Sequence, residues 1–132
     1  QGLVIYAKTC RRNGGSSFAT TWNAWARAGE QLPGIADNLL VYRTDDAVTG
    51  MLRVGNSELN GISALELGHI ESLGGGAAES LLQAAMEESS ARGLGGRMFA
   101  YITTTEGEDF ALRTGGVLID KGARLFVWNW QP

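Results

Sequence analysis

The chain has 132 residues, enough for one domain spanning residues 1–132, and is 44% hydrophobic and 19% charged, a globular rather than a disordered composition. A formal net charge of -3 and a sequence pI of about 5.1 give it no global electrostatic pull on nucleic acid. No apolar run reaches the roughly 20 residues a membrane-crossing helix needs, and the single cysteine, Cys10, excludes an internal disulfide or a cysteine metal cluster.

A lone thiol fits a reducing, cytoplasmic setting. Gln1–Lys8 lacks the basic stretch and long apolar core of a signal peptide. Leu3–Ala7, with Val4 and Ile5, predicts a strand, and the polar, glycine-bearing Arg11–Ser17 predicts a loop. Phe18, Trp22, Trp25 and Gly29 recur at helical spacing behind Ser17 as N-cap, and Leu32-Pro33-Gly34 stops that helix. Leu39–Arg43 and Val48–Val54 flank a turn at Asp45–Ala47 and predict an antiparallel hairpin. Gly55–Gly61 reads as a loop. Ile62–Leu73 predicts a strand with Gly68 as a candidate bulge.

Gly74-Gly75-Gly76 breaks the chain before its strongest helix, Ala77 to Arg92, whose apolar stripe is Ala78, Leu81, Leu82, Ala85 and Met86. Gly93 ends that helix, and Arg97–Thr103 predicts the next strand. Strand, glycine turn, helix and strand make a βαβ unit, which implies a parallel pair. A short helix follows over Glu106–Thr114. Val117–Ile119 and Leu125–Trp130 predict a closing hairpin around Lys121-Gly122. Phe126, Trp128 and Trp130 alternate onto one face of that last strand, as core, pocket wall or the surface of a homodimer formed through the C-terminal strand. The fold class is α/β, an α+β mixed sheet with a central βαβ unit and flanking hairpins.

Gly74, Gly75, Gly76, Ala77 and Ala78 are the best candidate binding segment. Glycines let backbone amides approach a ligand closely, and a helix start offers unpaired N–H groups and a positive dipole end, so the chemistry favours a phosphate or pyrophosphate. Without a Lys after the glycines the segment is no triphosphate loop, and Glu79 stands where a dinucleotide fingerprint needs its third glycine.

The element order, together with Gly76-Ala77-Ala78-Glu79-Ser80-Leu81-Leu82, Arg92-Gly93-Leu94-Gly95-Gly96-Arg97-Met98-Phe99-Ala100 and Asp109-Phe110-Ala111-Leu112-Arg113-Thr114-Gly115-Gly116, resembles the GNAT (Gcn5-related N-acetyltransferase-like) superfamily over most of residues 37–130. The resemblance implies acetyl-CoA as co-substrate and an amine acceptor. It also implies a pantetheine arm bound by backbone groups of Ile70, Glu71 and Ser72, and a pyrophosphate held by Gly74–Ala78. A general base must reach the acceptor amine, which nominates Glu66, His69 and Glu71 on or beside the preceding strand. Tyr101 is a candidate acid for the departing thiolate. No metal site is expected. Three positions depart from the family pattern: Leu73 replaces the signature's Arg or Gln, Glu79 brings a carboxylate to the first helical turn, and Ala111 replaces a tyrosine. Those departures favour the rival reading, a non-catalytic ligand-binding or assembly module. A third reading is a toxin or effector domain of a larger protein.

Overall fold

The computed structural model describes residues 2–6, 38–44, 47–72 and 76–130. The helix expected behind Ser17, Cys10, and the residues Leu73, Gly74 and Gly75 lie outside the described residues. Among the described residues nine elements follow in chain order: β1 (Gly2–Tyr6), β2 (Leu39–Thr44), β3 (Ala47–Leu59), β4 (Ile62–Ser72), α1 (Ala77–Ala91), β5 (Met98–Tyr101), α2 (Thr105–Arg113), β6 (Val117–Asp120) and β7 (Leu125–Trp128). The strands run in the order β1-β2-β3-β4-β5-β7-β6, a mixed α+β architecture. Among the described residues no helix is long and apolar enough to cross a membrane.

The chain divides into two compact units, one of residues 1–54 and 69–84, the other of 55–68 and 85–132. In the first, β2 pairs antiparallel with β1 and with β3. Leu39, Leu40, Val41 and Tyr42 are all buried, so consecutive residues of β2 are covered on both faces. The β2–β3 register runs Leu40↔Leu52, Val41↔Met51, Tyr42↔Gly50 and then slips by one residue before Arg43↔Val48, a β-bulge. Gly50 sits beside that bulge for a steric reason. A Cβ there would stand 3.0 Å from the Ala77 Cβ, 3.0 Å from Leu81 Cδ1 and 3.3 Å from the Tyr42 Cβ. The missing side chain is what lets the first turns of α1 lie down on β2 and β3.

In the second unit, β3 continues to Leu59 and turns through Asn60 (φ 53°) and Gly61 (φ 79°) into β4. A two-residue loop with both residues at positive φ is the hairpin connection whose twist matches its strands. The loop expected over Gly55–Gly61 is therefore strand as far as Leu59. Its polar residues sit at half-exposed and exposed positions, and the turn is confined to Asn60-Gly61.

β4 and β5 pair in parallel, Leu65↔Met98 and Glu66↔Phe99, as the βαβ pattern predicts. The carbonyl of Arg97 accepts from the Leu65 N–H at 3.1 Å and from the buried Ser89 Oγ at 2.8 Å, while the Arg97 Nε donates to the Ser63 carbonyl at 3.0 Å. One residue thus ties the end of α1 to the start of the parallel pair. At the C-terminal end of α1, Arg92 bonds Glu88 at 2.7 Å and Asn56 on β3 at 2.6 Å.

β7 pairs antiparallel with β5 on one side and β6 on the other, and all four of its side chains are buried. α2 is capped by Thr104, whose Oγ1 accepts from the Gly107 N–H at 3.0 Å. At the other end of α2, Thr114 Oγ1 accepts from Trp128 Nε1 at 3.2 Å.

The alternation expected to place Phe126, Trp128 and Trp130 together stops at Trp128. Asn129 has φ 57°, which breaks the extended backbone. Trp130 packs instead on the cluster of Leu59, Ala64, Phe99, Leu125 and Val127, with its ring 6.4 Å from Phe99 and edge-on to it. Leu125 and Val127 are the residues of β7 that alternate with Phe126 and Trp128, so Trp130 has joined the other face.

Candidate active site

Two pairs make up the β4–β5 ladder, ending at Glu66↔Phe99. β5 runs only to Tyr101 and its other edge is taken by β7, whereas β4 continues to Ser72. The Leu65 N–H points to β5, and strand alternation puts the amide of Leu67 on the same edge. The parallel ladder therefore ends at Glu66↔Phe99, two residues before β5 itself ends.

Two of the candidate residues lie near the end of this ladder, on one face. Ala64 and Phe99 share one core cluster, so Glu66, two residues from Ala64 and opposite Phe99 in the ladder, lies on the same face. Tyr101, two residues after Phe99, joins them; the two rings meet edge to face with centroids 6.1 Å apart. Glu66 is half-buried, and Tyr101 is 51% exposed. A carboxylate and a phenol thus flank Phe99 on the same face of the sheet. His69, Ile70, Glu71 and Ser72 follow on the backbone of β4; the side chain of Ile70 is exposed, and those of His69, Glu71 and Ser72 lie outside what the structure describes.

The described part of the glycine turn is Gly76. It has φ 80°, accessible to glycine at no cost, and its carbonyl accepts the first bond of α1 from the Ser80 N–H at 3.0 Å. It is therefore the residue that starts the helix, and the amides of Ala77 and Ala78 precede the first intrahelical bond. Nothing lies within 4 Å of where a Cβ of Gly76 would sit. Ala77 is buried, Ala78 half-buried and Glu79 exposed. Ala111, at the position of the family's tyrosine, is fully buried in α2.

Sequence reading missed Arg124. It sits at φ 53° in the β6–β7 turn. Its Nε donates to Glu108 Oε2 at 2.7 Å and its Nη1 to the Thr103 carbonyl at 3.1 Å. The hydrogen bond from Arg124 holds the Glu108 carboxyl below the usual carboxylate range, and the same bond raises Arg124. The sequence signal was faint: an arginine closing a glycine-bearing turn looks like solvated surface.

No family model matches the chain, and no curated protein matches it. Solved structures do. AtaT complexed with acetyl-methionyl-tRNAfMet is similar over 97% of this chain and 94% of its own, with 13% identity and a TM-score of 0.64. The N-acetyltransferase YlbP of Bacillus subtilis, in complex with coenzyme A, is similar over 97% of this chain and 96% of its own, with 13% identity and a TM-score of 0.58. N-acetylglutamate synthase from Neisseria gonorrhoeae, complexed with coenzyme A and N-acetyl-glutamate, is similar over 96% of this chain and 34% of its own, with 16% identity and a TM-score of 0.61. The parallel pairing of β4 with β5, with α1 between them in the chain, and this run of similar structures agree: the chain has the GNAT N-acetyltransferase fold.

Proposed function

We propose that the protein is an acetyl-CoA-dependent N-acetyltransferase acting on an amine. The observation that supports this reading is that Glu66, opposite Phe99 in the β4–β5 ladder, and Tyr101, stacked edge-on against Phe99, fall on one face of the sheet. Similar structures with coenzyme A or acetyl-CoA bound support the choice of co-substrate. Gly74, Gly75, Gly76, Ala77 and Ala78 would hold the pyrophosphate through backbone amides and the dipole of α1. Backbone groups of Ile70, Glu71 and Ser72 would hold the pantetheine arm in the manner of an added strand.

Acetyl-CoA, when bound, supplies an acetyl group on a thioester. Glu66, or His69 in its place, takes a proton from the acceptor ammonium. The freed nitrogen lone pair forms a C–N bond to the acetyl carbon, and the C–S bond breaks with its electron pair leaving on sulfur. Tyr101 gives that sulfur a proton; the amide nitrogen sheds its extra proton to solvent, from which Tyr101 recovers its own. Backbone amides of β4 polarise the carbonyl as it gains negative charge. The structurally similar proteins are complexed with molecules as different as N-acetyl-glutamate and acetyl-methionyl-tRNAfMet, so the amine is named only as a class. A cytoplasmic location would give the enzyme its acetyl-CoA.

A second reading, a binding module without catalysis, draws on Glu79 in the first turn of α1 and on the buried Ala111. Titration calorimetry with coenzyme A separates the fold from its use. Binding that disappears in Gly76→Glu supports the cradle, because the substitution adds a negative charge where phosphate oxygens would come. No heat at millimolar coenzyme A refutes the acetyltransferase reading.

A further inference from the structure

Building on the acetyltransferase reading, we propose that Arg124 is a positioning residue that sets the place of Tyr101 in the site. Tyr101 is the last residue of β5, paired with Leu125. The residue is 51% exposed and its ring has Phe99 as its aromatic neighbour, so its position depends largely on the backbone that carries it. Arg124 holds the chain directly after it in three ways. Its carbonyl accepts from the Ile102 N–H at 3.0 Å. Its Nη1 donates to the Thr103 carbonyl at 3.1 Å, and its Nε donates to Glu108 Oε2 in the first turn of α2 at 2.7 Å.

These contacts bracket Thr104, the cap of α2, whose Oγ1 accepts from the Gly107 N–H. Gly107 is itself tight against the same passage, since a Cβ there would stand 2.7 Å from Ile102 Cγ2. The passage from Tyr101 into α2 is thus clamped from outside by one guanidinium. The fork matters: Nε and Nη1 reach a carboxylate and a carbonyl at once, which the single ammonium of a lysine does not reproduce. Arg124 adopts a positive φ to do this, a conformation uncommon for residues other than glycine.

The chain has three tyrosines, Tyr6, Tyr42 and Tyr101, so ring-labelled tyrosine gives an NMR signal for Tyr101 with Tyr42 as internal control. In Arg124→Gln the Tyr101 ring signal is expected to shift and broaden while that of Tyr42 stays. Arg124→Lys, which keeps the charge and loses the fork, is expected to shift Tyr101 in the same direction. A general loss of stability would disturb both tyrosines and would not single out Tyr101. On any amine that the wild type acetylates, Arg124→Gln is expected to lower kcat about tenfold with the KM for acetyl-CoA little changed, and Tyr101→Phe about a hundredfold. The double variant should then fall no further than Tyr101→Phe alone, because Arg124 acts through that ring. An unmoved Tyr101 signal in both Arg124 variants, or losses that simply multiply, overturns the proposal. If coenzyme A does not bind the wild type, the acetyltransferase reading falls by itself, and the ring signals still decide whether Arg124 positions Tyr101.

Discussion

Adding one methyl group at Gly50 tests how the start of α1 is seated. The new Cβ would stand 3.0 Å from the Ala77 Cβ and 3.0 Å from Leu81 Cδ1, against about 3.5–4.0 Å for an unstrained carbon pair. Leu81 can yield by rotating, but the Ala77 Cβ moves only with the helix backbone. Overpacking of this kind costs about 1–3 kcal/mol, and replacing glycine in a strand returns about 0.5–1 kcal/mol of backbone entropy. The net expectation for Gly50→Ala is a loss of about 1 kcal/mol, which lowers Tm by about 4 °C for a chain of this size. Gly55→Ala is the matched control: it lies in the same strand with nothing within 4 Å of its added Cβ, and is expected to be neutral or slightly stabilising. Thermal denaturation of the two variants beside the wild type reads the difference. Because Ala77 belongs to the proposed pyrophosphate cradle, Gly50→Ala should also weaken coenzyme A binding in calorimetry while Gly55→Ala does not. A Gly50→Ala protein as stable as Gly55→Ala, with unchanged coenzyme A affinity, would refute this account of the seat of α1.

Three further outcomes are expected. Ser89→Ala removes a buried hydroxyl from the Arg97 carbonyl, which keeps its bond from Leu65, so urea unfolding should show a loss of about 1 kcal/mol. Glu66→Gln should lower turnover by about a hundredfold with coenzyme A affinity intact; a mild Glu66→Gln beside a crippled His69→Ala would move the base to His69. The Glu108 carboxyl is held below its ordinary value by Arg124, so its contribution to stability is present above the unfolded-state pKa and is lost as pH falls through the folded one. Urea midpoints of wild type and Glu108→Gln should therefore differ at neutral pH and converge on acidification, and a constant gap would contradict the pairing.

Much of the architecture is legible in local pattern. The stripe Leu81, Leu82 and Ala85 at helical spacing marks α1, and all three residues are buried. Strand, glycine, helix, strand marks the parallel pair, because a crossover of that length brings the second strand back in the same direction. Asn60-Gly61 is a legible hairpin signal inside the segment that reads as a loop, where Asn56, Ser57 and Glu58 add polar residues. On a strand with an exposed face such residues are ordinary, and a Gly-flanked polar run does not by itself distinguish the two cases.

The sequence alone determined the order of elements from β2 onward, the helix that starts at the glycines and the parallel sense of β4 and β5, since each depends on residues near one another in the chain. Only the tertiary structure decided which residues share a site. Glu66 stands opposite Phe99 through register between strands more than thirty positions apart, and a shift of one residue would have sent Glu66 to the other face. The left-handed turn at Asn129 decided that Trp130 crosses to the Phe99 cluster. The absence of a side chain at Gly50 acquires its meaning from Ala77 and Leu81 pressed against it, and the role of Arg124 from Thr103 and Glu108 folded into its reach. Periodicity records which face of an element is apolar; it carries no information about which distant backbone the face will meet.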